Sequence, residues 1–396
     1  SSLYIVMHKN PIVTGVRLVG LQMCIRYRTI IGAGVVGLSI AKSCSELGMS
    51  VVVLEKDSRA GEGISSRNSG VIHAGIYYPN ESLKTKFCLS GNKLLYDYAK
   101  AKNIDHKKIG KYIIASSKDE LEKLEGIYKK GILNSVTLEF LAKDKMKTIY
   151  PDLSIEAGIY SPNTGIIDVP EFISALEGDI QHKNGLVSFN TKFISAQKTN
   201  SGFSISCDDG NKFLINTKYL INAAGLYSDS ISQRIDTLDS QYFTPIKYAK
   251  GHYFKYNGSH PFTTLVYPLA SEFSSGLHVG FDLSGQIRFG PDVNWVDNID
   301  YSFDDSLKDH FISSIKKYWP DIDSKKLQPD YVGIRPKLQN MDEKMKDFSI
   351  TDSKVHGVEG LINIQGVESP GVTSSLAIGE YVKHMINSKD DPLTYL

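Results

Sequence analysis

The stretch Thr29–Lys56, TIIGAGVVGLSIAKSCSELGMSVVVLEK, decides how the rest of the chain is read. Gly32, Gly34 and Gly37 stand in the order G-x-G-x-x-G, directly after the apolar pair Ile30 and Ile31. Behind them Val36, Ile40, Ala41, Cys44 and Leu47 recur at helical spacing, and Gly48 supplies a helix stop. Val51 to Leu54 then form a wholly apolar run, as a strand buried on both faces requires. Strand, glycine turn, helix and strand make a βαβ unit with a distinct task for each glycine. One allows the tight turn, one the close approach of a pyrophosphate, and one the packing of helix on strand. A phosphate there meets the unpartnered first N–H groups and the positive end of the helix dipole. Glu55 follows at about the spacing at which an acid meets a ribose hydroxyl. The motif predicts a dinucleotide site and does not choose between dinucleotides.

With 396 residues the chain exceeds one typical domain, so two domains are expected. A hydrophobic share of 41% and a charged share of 22% are ordinary for a globular protein. The net charge of +1 offers no basic surplus for phosphate contacts, which argues against a nucleic-acid binder. Cys24, Cys44, Cys88 and Cys207 show neither C-x-x-C pairing nor a histidine at metal spacing, so no metal site is expected. They are read as reduced thiols of an intracellular protein. No apolar run is long enough to cross a bilayer, which leaves peripheral membrane contact open. Residues 1–28 carry Lys9, Arg17, Arg26 and Arg28 with no acid before Glu46, and read as a transit segment or a leader without fixed structure. Arg26 and Arg28 also crowd the entry of the first strand, which is therefore expected to be short and to begin near Tyr27.

Further along, SSRNSGVIHAGIYYP (Ser65–Pro79) is small and polar in its first half, as suits backbone lying against a ligand. Leu83 to Lys102 reads as a helix, Lys111 to Ala115 as a strand, and Leu121 to Tyr128 as a surface helix. Asp168 and Glu171 form a capping box with Pro170 in the first turn. Phe203–Ser206 and Phe213–Ile215 form a hairpin, and Tyr219–Ala223 is an apolar strand. From Gln241 to Gly290 aromatic and polar residues alternate, which predicts an antiparallel sheet. Leu361–Ile364 restores a buried strand before an amphipathic helix from Gly371. The expected architecture is α/β. A discontinuous Rossmann-like nucleotide domain (29–90, 150–235, 340–396) carries an inserted α+β substrate domain built on an antiparallel sheet (91–149, 236–339).

Four segments converge on a resemblance: the glycine turn, Ser65–Pro79, NAAGLYSD (Asn222–Asp229) and GVESPGVTSSLAIG (Gly366–Gly379). Together they resemble the D-amino-acid oxidase-like superfamily of FAD oxidoreductases. More narrowly, SSRNSGVIHAGIYYP, KGHYF, GPDV, GIRPKL and ESPGVTSSLAIGEYV look like the L-2-hydroxyglutarate dehydrogenases. The resemblance implies FAD as cofactor, and oxidation of a 2-hydroxy dicarboxylate by hydride transfer to flavin N5. It implies electrons passing to a quinone or another acceptor. Gly32, Ala33, Gly34, Gly37, Glu55 and Lys56 would hold the ADP half of FAD. Asn68, Ser69 and Gly70 would lie along the flavin, and Ala224 and Gly225 beside the nucleotide. Gly371, Val372 and Thr373 would offer helix N–H groups to the flavin's pyrimidine end.

Such chemistry needs a cation for the carboxylate, a base for the hydroxyl proton and a dry pocket. Arg335 is the candidate carboxylate ligand, since a guanidinium grips a carboxylate with two parallel hydrogen bonds. Lys250 is a candidate for a second carboxylate, and Tyr77 for a hydrogen bond to substrate. His278 and His73 compete as base. His278 sits in LHVGFD, where Gly280 replaces the family's Thr. His73 is also where related dehydrogenases attach FAD covalently, and His252 is kept as a supporting residue. An amino-acid or glycerol-3-phosphate oxidoreductase of the same superfamily is the alternative, and a non-catalytic dinucleotide-binding protein a third reading. The implied location is cytoplasmic, at or near the inner membrane, or mitochondrial in a eukaryote.

Overall fold

The computed structural model describes residues 27–269, 276–388 and 391–395. The leader 1–26, with Cys24 and Arg26, lies outside the described residues. The first sheet uses β1 (Arg28–Ile31), β2 (Val51–Leu54), β3 (Leu186–Ser188), β4 (Tyr219–Asn222), β5 (Ser349–Thr351) and β6 (Leu361–Gln365). Their spatial order is β5-β6-β4-β1-β2-β3. All neighbours are parallel except β5, which runs antiparallel to β6. The helices α1 (Val35–Glu46), α2 (Leu83–Lys102), α3 (Val169–His182) and α4 (Gly371–Asn387) share a core on one face of this sheet.

Alternation along the strands divides the faces. Ile30, Val51, Val53, Ile221 and Ile362 pack under the helices. Ile31, Val52, Leu54, Leu220 and Leu361 pack against a three-stranded antiparallel sheet of Lys192–Thr199, Gly202–Asp208 and Lys212–Thr217. Covered on both sides, β2 is apolar throughout, while β1 and β4 each keep a buried apolar pair, Ile30–Ile31 and Leu220–Ile221. Arg28 is tolerated because it stands at the mouth of β1, half-buried, with its guanidinium over the ring of Tyr219 at 5.7 Å. The strand is as short as its entry predicts.

Two glycines set how closely the helices approach. A Cβ on Gly379 would lie 2.5 Å from the Ser39 carbonyl oxygen of α1, and one on Gly91 of α2 only 2.2 Å from the Thr373 carbonyl oxygen of α4. The capping box at α3 is only half formed. Asp168 accepts from the Glu171 N–H at 2.8 Å, but the Glu171 carboxylate instead accepts from Asp105 N at 2.7 Å, tying α3 to the end of α2.

The second large sheet has nine strands among the described residues. Its long members, Lys247–Tyr256 and Leu327–Lys337, pair antiparallel along most of their length. The expected antiparallel character holds with one exception, since Leu265–Pro268 runs parallel to Lys111–Ala115. The sequence boundary at residue 150 is corrected here, because Ala157–Ser161 pairs with Lys111–Ala115 inside this sheet rather than in the nucleotide half. One side of the sheet carries an aromatic core of Phe254, Phe289, Phe311, Tyr318 and Trp319. The other carries Ile113, Ile159, Leu265 and Tyr267 under the helix Leu121–Leu133. Cys44, Cys88 and Cys207 are buried free thiols, each pushed up to about 12 by burial.

Candidate active site

The two large sheets face each other across a cavity of about 700 Å³. That lies within the range for small-molecule sites. Its walls take Gly32, Gly34 and Glu55 from the glycine turn, and Tyr253, Tyr267 and Arg335 from the nine-stranded sheet.

At one end the glycine turn is held open for a ligand. Gly32 has φ of +103°, and a Cβ there would lie 2.7 Å from the Ala223 carbonyl oxygen, so only glycine fits. A Cβ on Gly37 would lie 2.0 Å from the Gly32 carbonyl oxygen, which is the close contact of helix and turn that the motif requires. Gly34 caps α1 without a side chain, and no acid occupies the first turn. Ser65 Oγ accepts from Val35 N at 3.1 Å and closes the loop over the turn. Glu55 fastens the turn from below, with Oε2 accepting from Ala33 N at 2.8 Å and Oε1 from Asp57 N at 2.9 Å. Burial raises the Glu55 carboxyl above its ordinary value while these two N–H groups oppose the rise. Each oxygen keeps a lone pair for a ribose hydroxyl. Lys56 pairs with Asp57 at 2.6 Å and lies 5.0 Å from the centre of the Tyr227 ring. A helix N-terminus whose cap residue has no side chain, a turn that excludes Cβ atoms and an acid beyond it fit the ADP portion of a dinucleotide.

Along the cavity, Asn68, Ser69, Ala224, Gly225, Gly371 and Val372 all reach the wall. Gly70 does not. Its φ of +65° makes the turn that Asn68 Oδ1 fastens by accepting from Gly70 N at 2.6 Å. Thr373 is also buried behind the wall, where Oγ1 accepts from His73 N at 3.0 Å and donates to Val71 O at 3.3 Å. It thereby locks the first turn of α4 to the His73 segment. Like α1, α4 has no acid in its first turn, so two helix N-termini border one cavity.

At the far end the candidate substrate residues separate into two groups. Arg335 lies on the wall, where Nε donates to Ala249 O at 3.3 Å and Nη2 to Asp292 O at 2.6 Å. His252 and Asn294 brace the Asp292 side chain, at 3.1 and 2.6 Å. His252 thus supports Arg335 through Asp292. His278 and His73 both reach the cavity. The His278 ring lies flat on Tyr267, with centroids 3.5 Å apart, and His73 Nε2 lies 3.3 Å from Ser369 Oγ. Burial drives both imidazoles down to about 3. Lys111 adds to the fall at each, and His73 and Arg335 also at His278. Both are uncharged at neutral pH, the state in which an imidazole accepts a proton.

Lys250 and Tyr77 are corrected. Lys250 Nζ binds Asp300 at 2.9 Å and Ser302 at 3.3 Å away from the cavity wall, so its charge is already matched. Tyr77 lies behind the wall with its ring 4.8 Å from Lys111 Nζ. Three residues were missed by the sequence reading. Tyr253 stacks on Tyr331 at 4.4 Å, Tyr267 backs His278, and Lys111 is buried to 1% exposure beneath them. Alternation in KGHYF and LVYP carried a signal for the two tyrosines, but a lysine opening a strand carried none.

Among the described residues no helix is long and apolar enough to cross a membrane. The FAD dependent oxidoreductase family, DAO, matches residues 29–385. The chain is 36% identical over 394 residues to the mitochondrial L-2-hydroxyglutarate dehydrogenase of Arabidopsis thaliana, covering 89% of this chain and 82% of that one. It is 27% identical to a glycerol 3-phosphate dehydrogenase of Caloramator mitchellensis, covering 89% and 72%. The fold matches that of L-alpha-glycerophosphate oxidase from Mycoplasma pneumoniae with FAD bound, at a TM-score of 0.81 and 23% identity, over 93% and 96% of the two chains. Cavity, glycine turn and family match agree, and the chain belongs to the DAO family of FAD-dependent oxidoreductases.

Proposed function

We propose that the protein oxidises L-2-hydroxyglutarate to 2-oxoglutarate. The observation that carries this reading is the presence, on one cavity wall, of Arg335 and two uncharged histidines. The name of the Arabidopsis relative supports the choice of substrate. FAD, when bound, supplies the acceptor for the hydride. Gly32, Gly34, Glu55 and the first turn of α1 would hold its ADP portion, and Gly371 and Val372 would border its other end. Arg335 receives the substrate carboxylate, because the backbone contacts of Nε and Nη2 aim the guanidinium and leave Nη1 with no protein acceptor among the described residues. His278 or His73 would take the proton from the hydroxyl oxygen, while the carbon that bears this hydroxyl would give up its hydride to the bound FAD, leaving a 2-oxo acid. The enclosing tyrosines keep water from the reacting carbon. A quinone or another carrier then takes the electrons, in the cytoplasm at or near the inner membrane, or in the mitochondrion of a eukaryote.

Mixing the FAD-loaded protein anaerobically with L-2-hydroxyglutarate should bleach the flavin absorbance and yield 2-oxoglutarate. The Caloramator relative and the glycerophosphate oxidase fold favour glycerol 3-phosphate as a second reading. Bleaching by glycerol 3-phosphate or an L-amino acid, with none by L-2-hydroxyglutarate, would transfer the assignment.

A further inference from the structure

Lys250 is a buried lysine to which the site described above gives no task. Its side chain is 7% exposed, and Nζ reaches from the strand Lys247–Tyr256 to the Asp300 carboxylate at 2.9 Å, on a side chain 55% exposed. Among the described residues this is its one acid. If the segment carrying Asp300 swung away, the ammonium would be left buried and unpaired, which is costly. Lys250 therefore pins residues 297–303. Asp300 Oδ1 also accepts from Ser302 N at 2.9 Å, which bends the chain into a turn around Tyr301. Beyond the turn Phe303 sits edge-on to His252 and Phe254, at 5.2 and 5.0 Å between ring centres.

The turn presents Tyr301 to the other half of the molecule. The centre of its ring lies 4.1 Å from the Arg67 guanidinium, and both residues are on the cavity wall. Burial raises the Tyr301 hydroxyl above its ordinary value, Arg67 opposes the rise, and Tyr227, Lys56 and Asp57 also act on it. Lys56 and Asp57 directly follow Glu55, so Tyr301 stands over the ADP end of the cavity. Arg67 belongs to that end as well. It lies two residues after Ser65, whose Oγ accepts from Val35 N in the first turn of α1. Its backbone is pressed onto Gly333, where a Cβ would lie 2.6 Å from Arg67 O. Among the described residues its guanidinium has no ion pair and one hydrogen bond, Nη1 donating to Val332 O at 3.3 Å. Nε and Nη2 are left for a ligand in the cavity. The acids nearby are already held, Glu55 by two backbone N–H groups, Asp57 by Lys56 and Glu62 by Arg59. A guanidinium with open donors beside a helix N-terminus matches a phosphate group.

We propose that Arg67 is a ligand of the FAD diphosphate and that Lys250 is its positioning residue, acting through Asp300 and the Tyr301 ring that holds the guanidinium at the cavity wall. The proposal rests on the placement of the ADP portion at α1. The nine-stranded sheet thereby keeps a hold on the cofactor that the glycine turn alone does not supply.

The test follows release of FAD from diluted holoenzyme by flavin fluorescence, and the diphosphate of bound FAD by phosphorus NMR, which needs no release. Arg67→Met, Tyr301→Ala and Lys250→Met should each speed release about tenfold and move the phosphorus signals toward those of free FAD. Tyr301→Phe keeps the ring and should behave as the wild type. Because Lys250 acts through Tyr301, Lys250→Met should add nothing to Tyr301→Ala. If Lys250→Met does not fold, Asp300→Ala breaks the same tie from the exposed side. Wild-type release and phosphorus signals in folded Arg67→Met or Tyr301→Ala would overturn the proposal. Faster release from the Lys250→Met, Tyr301→Ala double variant than from Tyr301→Ala alone would overturn the positioning role. Gly34→Val separates this proposal from the placement beneath it. FAD retained there with wild-type phosphorus signals removes the placement and the proposal together, whereas FAD lost there, with release unchanged in the other variants, removes the proposal alone.

Discussion

Arg335 is aimed rather than free. Two of its nitrogens donate to the backbone carbonyls of Ala249, Lys250 and Asp292, and a third is left for the cavity. Truncation should therefore remove a carboxylate ligand without disturbing the glycine turn. Arg335→Ala is expected to raise KM for the substrate by about 100-fold, or about 3 kcal/mol, the usual cost of deleting a charge-assisted hydrogen bond in an enclosed site. FAD content after gel filtration should be unchanged. Wild-type KM in the variant would exclude Arg335 from substrate binding. At this scale the sequence was informative wherever a residue's type implies its task. Gly32 needs a positive φ, Glu55 follows the turn at a set distance, and Arg335 precedes a proline in a strand. It was uninformative for Lys111 and misleading for Lys250. Both are lysines near strand starts, and only packing decides which one meets an acid and which one meets rings.

The elements that meet behind the cavity are α2, α4 and the strand Leu327–Lys337, and one buried cluster fastens them. Glu368, just before α4, receives Lys84 of α2 at 3.0 Å and Lys337 of the strand at 2.6 Å. Lys84 is exposed to 1% and Glu368 to 8%, so solvent screens these ion pairs little. Burying three charges has no assured net benefit over an apolar cluster, but removing the shared acid leaves two buried cations without a partner. Glu368→Gln should lower stability by about 3–5 kcal/mol, read as a fall in the urea midpoint. A midpoint within error of wild type would show that the lysines find other acceptors. None of this was legible in advance, because the three partners are remote in sequence and each reads as a surface charge. The helices themselves were legible from their periodicity. The close crossing of α2 and α4 at Gly91 was not, since a glycine inside a helix registers only as a weak point until the opposing backbone is seen.

Over the whole molecule, the parallel sheet was legible because burial on both faces leaves short apolar runs in its strands, continuous in β2. The nine-stranded sheet was legible only in part. Its members come from three remote stretches of the chain, and a period of two reveals a strand without naming its neighbour. The cavity between the sheets is a wide internal gap that the protein alone does not fill, and its wall draws on residues from Ile31 to Val372. A ligand filling that gap touches both halves at once, so its binding energy appears as stability of the folded state. Removing FAD should therefore lower the thermal midpoint. Restoring it at one hundred times its dissociation constant should stabilise the fold by about 2.7 kcal/mol, a rise of several degrees for a chain of this size. Calorimetry of the stripped and reloaded protein checks this, and release of the flavin, read as a change in its fluorescence, should coincide with the protein's heat absorption. A midpoint that ignores FAD would mean that the folded protein does not bind it, and would remove FAD from the cavity.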